Sequence, residues 1–351
     1  MITYRHGNLL QSDAEALVNT VNCVGVMGKG IALQFKQAFP LNFSAYQKAC
    51  KADAVQPGKM LVIDTGNLIN PRWIINFPTK THWRAQSQIE HIEQGLADLV
   101  RVIREYGMQS IALPPLGCGN GGLDWQRVQP LIEASLAALP DVEIWVYPPQ
   151  PAPEADNMPV ATKPAQMTRA RALFIKLIEQ YSLPGYRLSL LEIQKLSYFL
   201  QVAGEPLKLD FKPHFYGPYA ENLNYLLQRI EGHFIRGYGD RSKDAEIHLE
   251  PDAVAMADDF LKEDADAAQR LTRIKALIEG FETPYGMELL ATVHWVQQQN
   301  PEANEADIVR KVHQWSRRKQ ALLRDTHILK ALSRLRAKDW IKLPEPNTEI
   351  A

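Results

Sequence analysis

The chain is poor in cysteine. Cys23, Cys50 and Cys118 are its only three, all lie in the first half of 351 residues, and no C-x-x-C occurs. A disulfide framework and a zinc site are therefore not expected, and a reducing cytoplasm fits. No apolar run approaches the roughly 18 residues of a membrane span, and the start MITYRHGNLLQSD has no apolar signal region, so a soluble cytoplasmic protein without a membrane partner is expected. Charge of one sign is also missing: 39 Lys and Arg stand against 40 Asp and Glu, a net of -1. The chain as a whole lacks the electrostatic signature of a nucleic-acid binder. Nine histidines are scattered without metal-ligand spacing, so no metal is expected.

What is present divides in two. Residues 1–149 alternate strand and helix signals. Short apolar runs at 2–5, 17–21, 60–65, 73–77, 110–113 and 143–147 read as strands covered on both faces. Ile89, Ile92, Leu96, Val100 and Ile103 recur at helical spacing, which predicts a helix over 87–106. Asp124 stands where an N-cap belongs, before a helix carrying Val128, Leu131, Ile132 and Leu136. Such alternation predicts a three-layer α/β sandwich. A proline-rich linker at 150–166 follows, incompatible with a helix. Residues 167–343 read as mainly α-helical, with an extended, turn-rich stretch at 210–218, and 344–351 as a polar tail. Charge is blocked in this half: residues 240–270 hold ten acidic and four basic side chains, and residues 305–342 eleven basic and four acidic. Such blocks mark interaction surfaces or simply solvated faces.

Two glycine-rich loops carry the chemical signal. The first runs Asn19-Thr20-Val21-Asn22-Cys23-Val24-Gly25-Val26-Met27-Gly28-Lys29-Gly30, from a strand pattern into a helix pattern beginning at Ile31. Glycines let backbone N–H groups approach an oxyanion, and a helix N-terminus adds partial positive charge. The loop is not a Walker P-loop: Cys23 and Gly30 occupy positions that need Gly and Ser or Thr. The second, Leu113-Pro114-Pro115-Leu116-Gly117-Cys118-Gly119-Asn120-Gly121-Gly122-Leu123-Asp124, has the same strand–loop–helix layout. Two such loops facing one crevice suit a diphosphate. Between them, a strand over 73–77 ends in Pro78-Thr79-Lys80-Thr81-His82-Trp83-Arg84. A lysine in such a turn is a candidate catalytic group, although on position alone a solvated loop lysine is the commoner outcome.

These segments, in this order, resemble the macrodomain family. Asn19 to Gly30, Asn76-Phe77-Pro78-Thr79-Lys80 and Pro115-Leu116-Gly117-Cys118-Gly119 are similar to the branch containing the animal terminal ADP-ribose protein glycohydrolase and the bacterial DarG antitoxins. The resemblance implies a three-layer α/β/α macrodomain with a mixed central sheet over 1–149, ADP-ribose as ligand, Lys80 as the catalytic residue and no cofactor. It places adenine near Asn8 and Leu9. Asn22 is a candidate ligand for the distal ribose. Gly28, Lys29, Gly30 and Ile31 are expected around the phosphates, as are Leu116, Gly117, Cys118, Gly119, Asn120, Gly121 and Gly122 from the second loop. Thr20 and Thr79 complete the set.

The resemblance further implies hydrolysis of the N-glycosidic bond between ADP-ribose and thymine in single-stranded DNA. The implied partners are ADP-ribosylated single-stranded DNA, ADP-ribose and a cognate DarT-type toxin. There is one departure. The animal enzyme has an Asp two residues after Gly-Cys-Gly, where this chain has Gly121. A Lys/Asp pair therefore does not carry over, and Asp124 reads as a helix cap. In the second half, Gln194-Lys195-Leu196-Ser197-Tyr198-Phe199 and the later Tyr216-Gly217-Pro218 resemble the Panacea antitoxin domain, which implies toxin binding. Helical spacing also gives Leu191, Leu196, Phe199 and Leu200 a plain core role. The alternatives are an ADP-ribose-binding antitoxin without chemistry and a hydrolase of ADP-ribosyl esters on protein carboxylates.

Overall fold

The computed structural model describes residues 1–183, 185–241 and 245–341. The expected tail at 344–351 lies outside them. Contacts divide the chain into two units, Met1–Lys163 with Gly239–Lys243, and Pro164–Tyr238 with Asp244–Ala351. Among the described residues no helix is long and apolar enough to cross a membrane.

The first unit is built on β1 (Ile2–Tyr4), β2 (Ala16–Asn22), β3 (Leu61–Asp64), β4 (Trp73–Lys80), β5 (Ser110–Leu113) and β6 (Glu143–Val146). They form one sheet in the order β1-β6-β5-β2-β4-β3. Neighbours run parallel except β3, which is antiparallel to β4. Helices α1 (Gly30–Ala38), α2 (Pro40–Lys51), α3 (Ile89–Tyr106) and α4 (Trp125–Leu136) cover it. Strand side chains alternate between faces. Val18, Ile75 and Phe77 pack with Leu96, Leu99 and Val128 of α3 and α4. Leu17 and Ile74 pack with Phe35 of α1 and with Trp145. Helices on both faces of a mixed sheet make the three layers.

One boundary differs from the sequence expectation. The strand expected to end at 77 continues to Lys80, so Pro78 and Thr79 are strand residues. Proline removes a ladder donor and is tolerated only where a strand flank is open. β3 pairs with β4 only as far as Asn76, so the flank at Pro78 is open.

The second unit contains α5 (Arg169–Tyr181), α6 (Leu190–Val202), β7 (Phe211–His214), β8 (Gly217–Ala220), α7 (Leu223–Ile230), β9 (Ile235–Arg236), β10 (His248–Leu249), α8 (Ala253–Leu261), α9 (Ala265–Ile278), α10 (Pro284–Gln299), α11 (Glu305–Gln314), α12 (Arg317–Leu322) and α13 (Asp325–Ala337). α10 is the central helix, buried at every position from Gly286 to His294. The stretch expected to be extended forms the β7–β8 hairpin. Ser189 and Glu192 close a capping box on α6. Lys195 of that helix donates 2.6 Å to the Pro218 carbonyl, while Gln194 both donates to and accepts from the Ala220 backbone. Two segments that resemble one antitoxin motif are thus joined side chain to backbone.

Candidate active site

The first glycine loop is held by its own asparagine. Asn22 accepts at Oδ1 from the Val24 N–H at 3.0 Å and donates from Nδ2 to the Val26 carbonyl at 2.6 Å. From beneath, the fully buried Tyr46 hydroxyl donates to the Asn22 carbonyl at 2.6 Å. Neighbouring buried asparagines tie the strands together: Asn19 donates to Asn76 at 3.0 Å, and Asn76 to Asn42 of α2 at 2.7 Å. Sequence reasoning did not single out Tyr46 or Asn42; the only signal was polar residues within apolar patterns.

Gly30 opens α1 with φ +62°, and a Cβ there would lie 2.6 Å from Asn120 Nδ2. The two glycine loops therefore approach each other, and the left-handed φ at Gly30 favours glycine there. The Gly30 N–H donates to the Asp240 carbonyl at 2.8 Å, so one expected phosphate donor is engaged by a peptide oxygen. Lys29 precedes it as an exposed, extended N-cap residue without a side-chain cap bond.

Lys80 reaches the same place from β4. The β2–β4 register shifts between Val21 and Asn22, leaving Val21 opposite Pro78 and Asn22 opposite Lys80. A bulge of this kind re-aims the following side chain. Thr79 is buried, whereas Lys80 is partly exposed and donates from Nζ to the Asn120 carbonyl at 3.2 Å. Burial holds its amine below the usual lysine range.

The second loop has no room at the position of the departure. A Cβ on Gly121 would lie 2.3 Å from Ser87 Oγ and 2.4 Å from the Gly117 carbonyl. Ser87 is buried, its N–H donates to the Gly121 carbonyl at 2.9 Å, and its Oγ has no partner. Burial, and next the charge of Asp124, push the Cys118 thiol up to about 11, so it is protonated near neutral pH. Asp124 caps α4, accepting from the Gln126 N–H at 3.0 Å.

The two residues expected near adenine follow the first strand. Asn8 accepts from the Leu10 N–H at 3.0 Å, and Leu9 is buried in the core with Tyr147. Of the other expected residues, Thr20 is half-buried on β2, Gly28 and Ile31 are partly exposed, Leu116 and Gly117 are buried, and Gly119, Asn120 and Gly122 are exposed. Among the described residues no group of three or more His, Cys, Asp or Glu could hold a metal ion.

The Macro domain family model matches residues 18–132, the stretch of the mixed α/β/α unit that carries Lys80 and both glycine loops. The chain is 49% identical to a DNA ADP-ribosyl glycohydrolase of Thermus aquaticus, covering 98% of this chain and 97% of that one. It belongs to the DNA ADP-ribosyl glycohydrolase family. A solved macrodomain of Mycobacterium tuberculosis DarG is 61% identical, over 43% of this chain and 99% of that chain, with a TM-score of 0.42. A Thermosipho africanus DNA ADP-ribosyl transferase–glycohydrolase fusion protein is 36% identical, over 41% of this chain and 40% of that one.

Proposed function

We propose that this chain is the antitoxin of a DNA-modifying toxin–antitoxin pair, that it removes ADP-ribose from thymine in single-stranded DNA with Lys80 as catalytic residue, and that it also binds its DarT-type toxin directly. The observation that carries the chemistry is the half-buried Lys80 amine, lowered in basicity and held beside the second glycine loop. The neutral amine attacks the anomeric carbon of the distal ribose. The carbon–nitrogen bond to thymine breaks with its electron pair going to the base, which takes up a proton. Water then adds to the carbon of the lysine adduct and expels the amine, giving free ADP-ribose and restored DNA. Glycine-loop N–H groups other than those of Gly30, Cys118 and Gly122, which backbone carbonyls engage, bind the diphosphate and fix the ribose for attack.

The absence of space at Gly121 favours a lysine acting without an acidic partner there. Toxin binding is supported by the fusion of a transferase with a glycohydrolase in the Thermosipho relative. An acidic surface entering the toxin's DNA groove is one route to such binding. Within residues 240–270, Asp258 and Asp264 are paired with Lys176 and Arg169, while Glu246, Asp259 and Glu263 are among the exposed acids available for that role; Asp244 lies outside the described residues.

Lys80→Ala, assayed on ADP-ribosylated single-stranded oligonucleotide, is expected to lose turnover by about a hundredfold or more. Its ADP-ribose affinity should stay within a few fold. Equal turnover by the two proteins sinks the assignment.

A further inference from the structure

The tip of the β7–β8 hairpin is an unusual surface. Residues 211–219 and 314–320 together contain five Phe, Tyr and Trp residues and four Lys and Arg residues, with no acidic residue. Phe215 and Tyr216 are 50% and 43% exposed and lie edge to face, with centroids 4.9 Å apart. The Arg318 guanidinium stands 4.6 Å from the Tyr216 ring centroid and 5.3 Å from that of Phe215.

The tip is fixed from behind. Trp315 Nε1 donates to the His214 carbonyl at 2.9 Å, and Lys195 holds the Pro218 carbonyl. Buried Glu288 receives both Arg318 and Lys319. One carboxylate facing two cations leaves the base of the tip positive. Arg317 is exposed beside it, while Lys212 is paired with Asp210.

We propose that this hairpin tip is a second DNA-binding site, a stacking platform for single-stranded DNA separate from the macrodomain cleft. Exposed rings stack on unpaired bases of any sequence, and neighbouring cations meet the phosphates. The excess of cations over carboxylates at the tip complements a strand of phosphates, and the fixed backing lowers the ordering cost of binding. Joined by the chain to the cleft, such a site raises the local concentration of DNA there.

The test uses the full chain and a fluorescent, unmodified oligothymidylate, read by anisotropy. Without ADP-ribose on the probe, failure here is distinguishable from failure of the glycohydrolase reading. Binding is expected to favour the single strand over a duplex of equal length. The double variant Phe215→Ala, Tyr216→Ala should weaken it at least about fivefold, the low end for one base–aromatic stack. Arg317→Glu, at an exposed position, should weaken it and flatten its salt dependence. Release of ADP-ribose from modified thymidine should be unchanged in both. No single-strand binding by the wild type, unchanged affinity in the variants, or loss of toxin binding with DNA affinity intact overturns the proposal.

Discussion

Lys80 Nζ lies 3.2 Å from the backbone carbonyl of Asn120, so the second glycine loop holds the amine that β4 delivers. Burial lowers the amine's pKa, and the neutral form is the nucleophile. Turnover should therefore rise with pH through the lowered Lys80 pKa and then level off. Lys80→Arg keeps the positive charge but cannot deprotonate, and should be inactive across the range. A pH–rate profile of both proteins on modified DNA checks this; a profile falling through the same region points to an acid role instead.

Gly121→Asp should fail to add a second catalytic group. The new Cβ meets Ser87 Oγ at 2.3 Å and the Gly117 carbonyl at 2.4 Å. Calorimetry should show ADP-ribose affinity reduced by about tenfold or more, equivalent to about 1.4 kcal/mol. Thermal stability should fall as well.

Tyr46→Phe removes the hydroxyl that holds the Asn22 carbonyl and leaves that acceptor buried. The expected cost is about 1–3 kcal/mol of folding stability. ADP-ribose binding should weaken while turnover at saturation changes little, since the Lys80 side chain is untouched. Chemical denaturation and a separation of KM from kcat read the two effects.

Lys195→Ala should destabilise the second unit by about 2–5 kcal/mol through a buried cavity and an unsatisfied Pro218 carbonyl. Burial, followed by the nearby Lys319 charge, pushes the Lys195 amine down to about 7. Lys195→Met restores the volume without the donor and should recover part of the loss. Denaturant unfolding of the three proteins gives the comparison.

The glycine loops were legible as loops because glycine marks the turn between an apolar strand and a helix start. Asp124 was legible as a cap for the same local reason. Lys80 was a candidate by its strand-end position and gained weight only through resemblance, since its placement depends on a register shift between β2 and β4. Pro78 suggested a turn, and only the early end of β3 explains why the strand continues. Ser87 beneath Gly121, Tyr46 beneath Asn22 and Lys195 behind Pro218 are contacts distant in sequence, and no periodicity marks them.

The crowding at Gly121 limits how this site can change over generations. Shrinking Ser87 clears one obstacle, and its unpartnered hydroxyl makes that step inexpensive. The Gly117 carbonyl remains, and it belongs to the backbone, which no single substitution removes. A lineage moving from this site to a lysine–aspartate pair must reroute the loop itself, so the two chemistries are separated by a barrier of shape and not by one codon.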